Sequence, residues 1–163
     1  MSAEISKLHP LTACLWFDKQ AEEAAKFYTD IFKDSEIGAI SRYGKEGFEF
    51  HGMPEGTALT VSFKLNGQNF MGLNGGPRFK FNESVSFVVT CDTQEEIDYY
   101  WEKLTADGGE ESMCGWLKDK FGLSWQIVPS VLSKLMTNPT KAGKVTEAFL
   151  KMKKFDIEKI MNA

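Results

Sequence analysis

Gly115–Pro129, G-W-L-K-D-K-F-G-L-S-W-Q-I-V-P, is the stretch whose reading decides the fold. Lys118–Gly122 reads as a turn and Leu123–Val128 as a short strand, closed by Pro129, which supplies no backbone donor. Leu123, Trp125 and Ile127 alternate with Ser124, Gln126 and Val128, so one face is strongly apolar and the other carries two neutral polar groups. That alternation marks a strand with one face on a core. Gln126 stands mid-strand among apolar neighbours and is read as facing a cavity.

Upstream, Leu11–Phe17 (L-T-A-C-L-W-F) reads as a buried strand. Asp18 is read as the cap of a helix whose apolar positions Ala21, Ala24, Ala25, Tyr28, Ile31 and Phe32 follow helical spacing. Ile37–Tyr43 is a weaker strand, and Gly44–Gly56 a glycine-rich loop. Leu59, Val61 and Phe63 then alternate with Thr60, Ser62 and Lys64. Asn66-Gly67 follows, a strong short hairpin signal that implies a type I′ turn. The returning strand is Gln68–Asn74. Ser84–Cys91 alternates again, and Thr93 with Glu96 forms a capping box for a helix carrying Ile97, Tyr100, Trp101 and Leu104, ended by Gly108-Gly109. After Pro129 the pattern is helical.

The two helix entries repeat one another. Asp18-x-Gln20-x-Glu22 matches Asp92-x-Gln94-x-Glu96 at an offset of 74 residues, and the strands before them coincide. The order strand, helix, strands and hairpin also recurs. The expected fold is therefore α+β: tandem βαβββ modules (about 8–77 and about 82–130) within one domain over 1–163. They form one curved, mainly antiparallel sheet with outer helices and a C-terminal helical extension from about 131.

The repeat assigns faces. On Ser84–Cys91 the apolar side lies under the helix, leaving Ser86, Val88 and Thr90 opposite, and the corresponding residues of the first strand are Thr12, Cys14 and Trp16. On Gln68–Asn74, Met71 and Leu73 are read as core, so Phe70, Gly72 and Asn74 join the opposite face. With Ser124 and Gln126 this makes a surface of aromatic, small and uncharged hydrogen-bonding groups, the composition of a small-molecule pocket. Cys114 and Trp116 fall at its rim. Cys114 is open to two readings, a reactive thiol or a buried structural one. No base or cation nearby in sequence activates it except Lys118 and Lys120, which the turn is read as pointing to water.

Composition narrows the function. Hydrophobic residues at 42% and charged residues at 26% are those of a globular domain, and a net charge of −4 without a basic cluster argues against nucleic acid as a partner. Three cysteines with no C-x-x-C spacing suit a reducing compartment. The N-terminal M-S-A-E-I-S-K-L-H-P has no apolar signal region, and no apolar run approaches the ~18 residues of a membrane span. A cytoplasmic protein without membrane contact is expected. The apolar residues Phe149, Met152, Phe155, Ile157 and Ile160 of the C-terminal helices suggest a homodimer.

The tandem plan, the A-E-E-A-A-K-F-Y helix and the C-G-W-L-K-D-K-F-G-L-S-W-Q-I-V-P segment resemble the vicinal-oxygen-chelate (glyoxalase/bleomycin-resistance) superfamily. More narrowly they resemble its PhnB-like branch, often labelled 3-demethylubiquinone-9 3-methyltransferase. The resemblance implies a cup-shaped sheet for each pair of modules and, usually, a homodimer. Metal-dependent members hold their ion with His or Glu at positions that fall here at or next to Thr12 and on Asn74, Ser86 and Gln126. None of these is a His or a carboxylate, and neutral amides and hydroxyls bind divalent transition ions poorly. His9 and His51 are read as surface or capping residues. The methyltransferase label carries no Gly-rich strand-to-helix turn, since Gly75-Gly76-Pro77 follows a hairpin strand.

The expectation is a small-molecule-binding protein with a neutral, metal-free pocket, no cofactor, and ligand contacts at Thr12, Trp16, Phe70, Asn74, Ser86, Thr90, Cys114, Trp116 and Gln126. Two alternatives stand beside it. One is an enzyme on the same pocket, by methyl transfer or by metal-dependent lyase or dioxygenase chemistry. The other is an interaction module whose sheet face is buried in a dimer. Elemental analysis of protein purified without added metal is expected to find substoichiometric nickel, zinc, iron and manganese. An ion held tightly at Asn74, Ser86 and Gln126 contradicts that reading.

Overall fold

The computed structural model describes residues 11–163, so His9 lies outside the described residues. The chain divides after Lys80 into two compact units. The first contains β1 (Ala13–Phe17), α1 (Ala21–Ile31), β2 (Glu36–Arg42), α2 (Phe48–His51), β3 (Ala58–Leu65) and β4 (Gln68–Asn74). The second contains β5 (Ser86–Cys91), α3 (Gln94–Thr105), β6 (Glu110–Glu111), β7 (Trp116–Lys118) and β8 (Ser124–Pro129), then the C-terminal helices α4 (Val131–Met136), α5 (Ala142–Phe149) and α6 (Ile157–Met161). The fold is α+β.

The strand orders, β1-β4-β3-β2 and β5-β8-β7-β6, are the same arrangement made twice. In each, the first and last strands pair in parallel and the other neighbours are antiparallel. The parallel pair follows from the helix after the first strand, since parallel neighbours need a crossover. Hydrogen bonding thus divides the strands into two mixed four-stranded sheets, where the sequence pointed to one. Each module completes its own ladder by returning its last strand to its first. Among the described residues no helix is long and apolar enough to cross a membrane.

In the first unit α1 lies very close to β4. Ala21, Ala24 and Ala25 are fully buried, and a Cβ on Gly72 would stand 3.1 Å from the Ala21 methyl. Only small residues allow that approach. The parallel register sets Ala13 beside Phe70, Leu15 beside Gly72 and Phe17 beside Asn74, and Leu15, Phe17, Phe70 and Asn74 are all buried. Phe70 stacks on Phe63 at 5.5 Å, which in turn stacks on Tyr28 of α1 at 6.2 Å. The expected facing of β4 is therefore reversed. Phe70 and Asn74 look toward the helix, and the half-buried Met71 and Leu73 look away. Apolar size misassigned the strand because its helix-facing positions include a glycine and an amide.

Asn74 explains why an amide is buried there. Its Oδ1 accepts from the Ala21 amide at 2.9 Å and its Nδ2 donates to the Ala58 carbonyl at 2.9 Å, while Tyr43 donates its hydroxyl to the Asn74 carbonyl at 2.6 Å. One of the open N–H groups at the start of α1 is thus capped from a distant strand. Asp18 does not cap α1: the cap position is Gln20, without a side-chain bond, and Asp18 Oδ1 is buried with no partner. In the second unit the expected capping box is present, with the Glu96 amide donating to Thr93 Oγ1 and Glu96 Oε2 accepting from Thr93. The Asn66-Gly67 hairpin also forms, both residues at positive φ (49° and 77°), as type I′ requires.

The turn between β7 and β8 is organised by Asp119, which is 2% exposed. Its carboxylate accepts from the amides of Phe121 (2.9 Å) and Leu123 (3.1 Å) and from Trp125 Nε1 (2.8 Å). The Gly122 amide, with φ at +85°, donates to the Asp119 carbonyl. This knot ties the turn to a core side chain and fixes which way β8 faces.

Removing either buried group strands donors that folding has taken from water. Asp119→Ala is expected to cost about 3–5 kcal/mol, and Asn74→Ala about 2–3 kcal/mol, because a hydrogen-bonded charge is worth more than an amide. Thermal melts are expected to fall by ~10 °C for the first and by less for the second. An Asp119→Ala protein that melts with the wild type contradicts the assignment.

Candidate functional site

In the second unit the parity set by Asp119 buries Trp125 and Ile127 and turns Ser124 and Gln126 to the sheet face opposite α3. The pairing of Val88 with Gln126, Trp116 with Gln126 and Lys118 with Ser124 puts Val88, Trp116 and Lys118 on that same face. Gln126 Nε2 donates to Ser86 Oγ at 2.9 Å. Thr90 is exposed two residues further along the same side of β5.

A hollow of about 480 Å³ opens beside this row, lined among others by Glu83, Met113, Cys114, Trp116, Lys118 and Ser124. Two of its polar groups are without protein partners. Ser124 is 1% exposed, and its Oγ is buried with no hydrogen bond. The other is an indole. Trp16 donates to the Gly76 carbonyl, Trp101 to Glu111 and Trp125 to Asp119, whereas among the described residues Trp116 Nε1 has no protein acceptor. Trp116 is only half-buried, so its N–H stays open to solvent or to a ligand at the hollow. Lys118 pairs with Glu83. That hydrogen bond holds the Glu83 carboxyl below its ordinary value and the Lys118 ammonium above its own. Glu110 and Glu111 complete the rim, giving it an excess of negative charge.

Of the predicted site residues, Ser86, Cys114, Trp116 and Gln126 lie around this face and hollow. In the first unit Thr12 is exposed at the edge of a separate hollow of about 560 Å³, whose lining also includes Ser62, Lys64, Asn69 and, of the other predicted residues, Phe70. Trp16 lies away from it. A Cβ on Gly75 would stand 2.2 Å from its ring, Phe79 meets it edge-on at 4.9 Å, and its N–H is taken by Gly76. Phe70 and Asn74 point their side chains into the helix-facing core. Sequence reasoning missed Lys118, which it turned to water, and Glu83. The alternation Trp116–Lys118 was the available signal, since it continues the parity of Ser124 and Gln126 across the turn.

The positions corresponding to metal ligands do not form a donor set. Thr12 precedes the Ala13–Phe70 pair, while Asn74 pairs with Phe17 at the other end of the same strands. Both ends of the Asn74 amide are committed to backbone groups. Ser86 and Gln126 are adjacent, yet they offer only neutral groups that bond to each other. His51 is held by its own loop, Nδ1 accepting from the Met53 amide and Nε2 lying 3.1 Å from the Glu46 carbonyl. Among the described residues no three His, Cys, Asp or Glu side chains are grouped to hold an ion. These residues do not fit the superfamily's divalent ion. A methyl-donor nucleotide also lacks its usual cradle, because the Gly75-Gly76 turn leads toward strand β5 with no helix between.

The cysteines differ in environment. Burial pushes the Cys91 thiol up to about 12, so it stays protonated at neutral pH, and Cys14 is raised for the same reason. Cys114 sits at φ +58° on the wall of the hollow.

Residues 9–128 match the family model described as 3-demethylubiquinone-9 3-methyltransferase. Among solved structures the chain is similar to a putative 3-demethylubiquinone-9 3-methyltransferase, PhnB protein, from Bacillus cereus. The two are 40% identical over 75% of this chain and 100% of that one, with a TM-score of 0.66. Two more distant structures share the fold alone. Protein PA1353 from Pseudomonas aeruginosa is 16% identical over 75% of this chain and 98% of its own, at a TM-score of 0.58. The fosfomycin resistance protein FosX from Listeria monocytogenes is 18% identical over 82% of this chain and 97% of its own, at 0.53. No curated protein matches the chain. The chain belongs to the 3-demethylubiquinone-9 3-methyltransferase family, in the PhnB-like branch of the vicinal-oxygen-chelate (glyoxalase/bleomycin-resistance) superfamily.

Proposed function

We propose that this protein binds a small aromatic molecule against the open face of β7 and β8, without a metal ion. The observation that carries the reading is the pair of unpartnered polar groups at one hollow, Trp116 Nε1 and Ser124 Oγ. The buried Ser124 hydroxyl without a partner and the open Trp116 N–H at the same hollow are groups that the polar edge of a ligand would satisfy. Trp116 supplies an apolar plane, Gln126 and Ser124 offer donors and acceptors to a polar edge, and the rim of Glu83, Glu110 and Glu111 favours a ligand that is neutral or cationic. Methyl transfer, the chemistry in the printed name of the Bacillus cereus relative, is the second reading; it requires S-adenosylmethionine to bind the same hollow.

Tryptamine and indole-3-acetate make a matched pair of probes, alike in ring and opposite in charge. Tryptamine is expected to raise the melting temperature and indole-3-acetate to leave it unchanged. In Gln126→Leu the affinity for tryptamine is expected to fall about ten- to a hundredfold, the loss of one or two buried hydrogen bonds. Its melting temperature should change little, because the half-buried Ser86 hydroxyl it releases can reach water. Stabilisation by S-adenosylmethionine and not by either indole moves the reading to methyl transfer. A large stability loss with unchanged intrinsic affinity means that Gln126 is structural and the binding face is wrong.

The protein is further proposed to be cytoplasmic and to act as a homodimer. Phe155 and Ile160, two of the residues that suggested a dimer surface, are buried within their own chain at 2% and 0% exposure. The exposed Val88, at 57%, supports the dimer reading from the sheet face instead. Light scattering at micromolar concentration is expected to return the mass of a dimer; the 18.4 kDa of a single chain contradicts it.

A further inference from the structure

The segment between α5 and α6 is bound to the second sheet unit as a peptide ligand would be. Its backbone takes up both amides of a short left-handed turn. Cys114 donates to the Met152 carbonyl and Gly115 to the Lys153 carbonyl, each at 2.7 Å. Cys114 Sγ adds a weak contact to the Phe149 carbonyl at 3.8 Å. Cys114 and Gly115 stand at φ +58° and +79°, and two successive amides in that conformation converge on a single acceptor region. A non-glycine residue does not hold such a φ unless its surroundings impose it. Here a hairpin turn between β6 and β7, closed by the Trp116 amide on the Met113 carbonyl at 3.1 Å, requires positive φ at both residues, and the segment takes the two amides that the turn leaves open.

Two side chains fix the segment in place. Gln94, in the first turn of α3, brackets the two peptides on either side of Asp156: its Nε2 donates to the Phe155 carbonyl at 3.1 Å and its Oε1 accepts from the Ile157 amide at 2.9 Å. The Phe155 ring is 2% exposed and lies over Gly115, where a Cβ would come within 2.5 Å of it. Salt bridges from Lys153 to Glu111 (3.4 Å) and Lys154 to Asp98 (2.5 Å) flank the bracket. Gln20, which corresponds to Gln94 in the repeat, makes only a local contact with the Lys19 amide. The bracket belongs to the second module alone, and the segment lies beyond the residues shared with the family.

The turn it grips is the wall of the hollow. Met113 and Cys114 line it, Trp116 follows immediately, and the Ile127 amide donates to the Gly115 carbonyl at 2.8 Å, next to Gln126. We propose that Met152–Ile157 is a strap that sets the position of the Cys114–Trp116 wall. Gln94 and Phe155 are then positioning residues, acting on the ligand through that wall without touching it. The inference rests on the binding reading above only for its effect on affinity; its effect on the wall stands without a ligand.

The test uses the full chain carrying Cys14→Ser, so that the buried Cys91 stays silent and Ellman's reagent reports Cys114. Gln94→Glu removes the donor to the Phe155 carbonyl and to Asp98 Oδ1 while keeping the acceptor for Ile157, and Phe155→Ala removes the ring. Each is expected to speed Cys114 modification and amide exchange at Cys114 and Gly115 by about five- to tenfold, the loss of roughly one hydrogen bond of local stability. Exchange at Val89, in β5, should not change. Tryptamine affinity should fall by a similar factor. If Phe155→Ala does not fold, Gln94→Glu decides alone, since it replaces a half-buried side chain by one of equal size. Unchanged rates at Cys114 and Gly115, or rates that rise in step with Val89, overturn the strap. Faster rates in a protein whose wild type never binds tryptamine uphold the strap and count only against the proposed ligand.

Discussion

The second unit depends on one buried carboxylate. Asp119 is surrounded by apolar residues and stays there because it accepts from two amides and an indole. A buried charge without such partners is strongly disfavoured. The consequence reaches past the turn. Strand parity has a period of two, so a slip of one residue between Lys118 and Ser124 would send Trp125 outward and Gln126 into the core. By holding Trp125, Asp119 fixes that register. The polar row of Ser124 and Gln126 and the adjacent Trp116 and Lys118 follow from it.

The first unit meets the same demand with a different residue. There the constraint is close approach: α1 lies against Gly72 through alanines, and its cap position, Gln20, makes no side-chain bond to the helix. Asn74 reaches from β4 to supply the cap. The second helix has a local capping box and needs no such help. Two copies of one plan have thus diverged in what each spends its polar groups on. In the first, the amide at the end of β4 is used up in structure. In the second, Ser86, Gln126 and Ser124 remain directed to the open face.

Much of this was legible in the sequence where the signal is local. The hairpin at Asn66-Gly67, the Thr93–Glu96 box and the repeated order of strand, helix and strands correspond to observed geometry, and the alternations read over Ser84–Cys91 and Leu123–Val128 fall on strands Ser86–Cys91 and Ser124–Pro129. The failures lie where a distant contact overrides local pattern. Gly72 and Asn74 look polar or small enough to face water, yet the helix needs one for clearance and the other for a cap. Asp18 has the right chemistry for a cap but not the right place in the chain. Phe155 and Ile160 read as dimer surface because nothing in sequence reveals that both are buried within their own chain, Phe155 against Gly115. The pocket residues divided accordingly: those of β5, β7 and β8 fell together, and those of β4 did not.

Recognition on the open face of β7 and β8 makes one demand that a structural role would not. Of the four indoles in the chain, three have their N–H committed to a protein acceptor, and among the described residues Trp116 has none. The indole resonances in a heteronuclear NMR titration with tryptamine therefore measure the central claim directly. The account predicts that the Trp116 N–H signal moves progressively to saturation, while those of Trp16, Trp101 and Trp125 stay in place. A saturating titration in which Trp116 is unmoved and another indole shifts would contradict it.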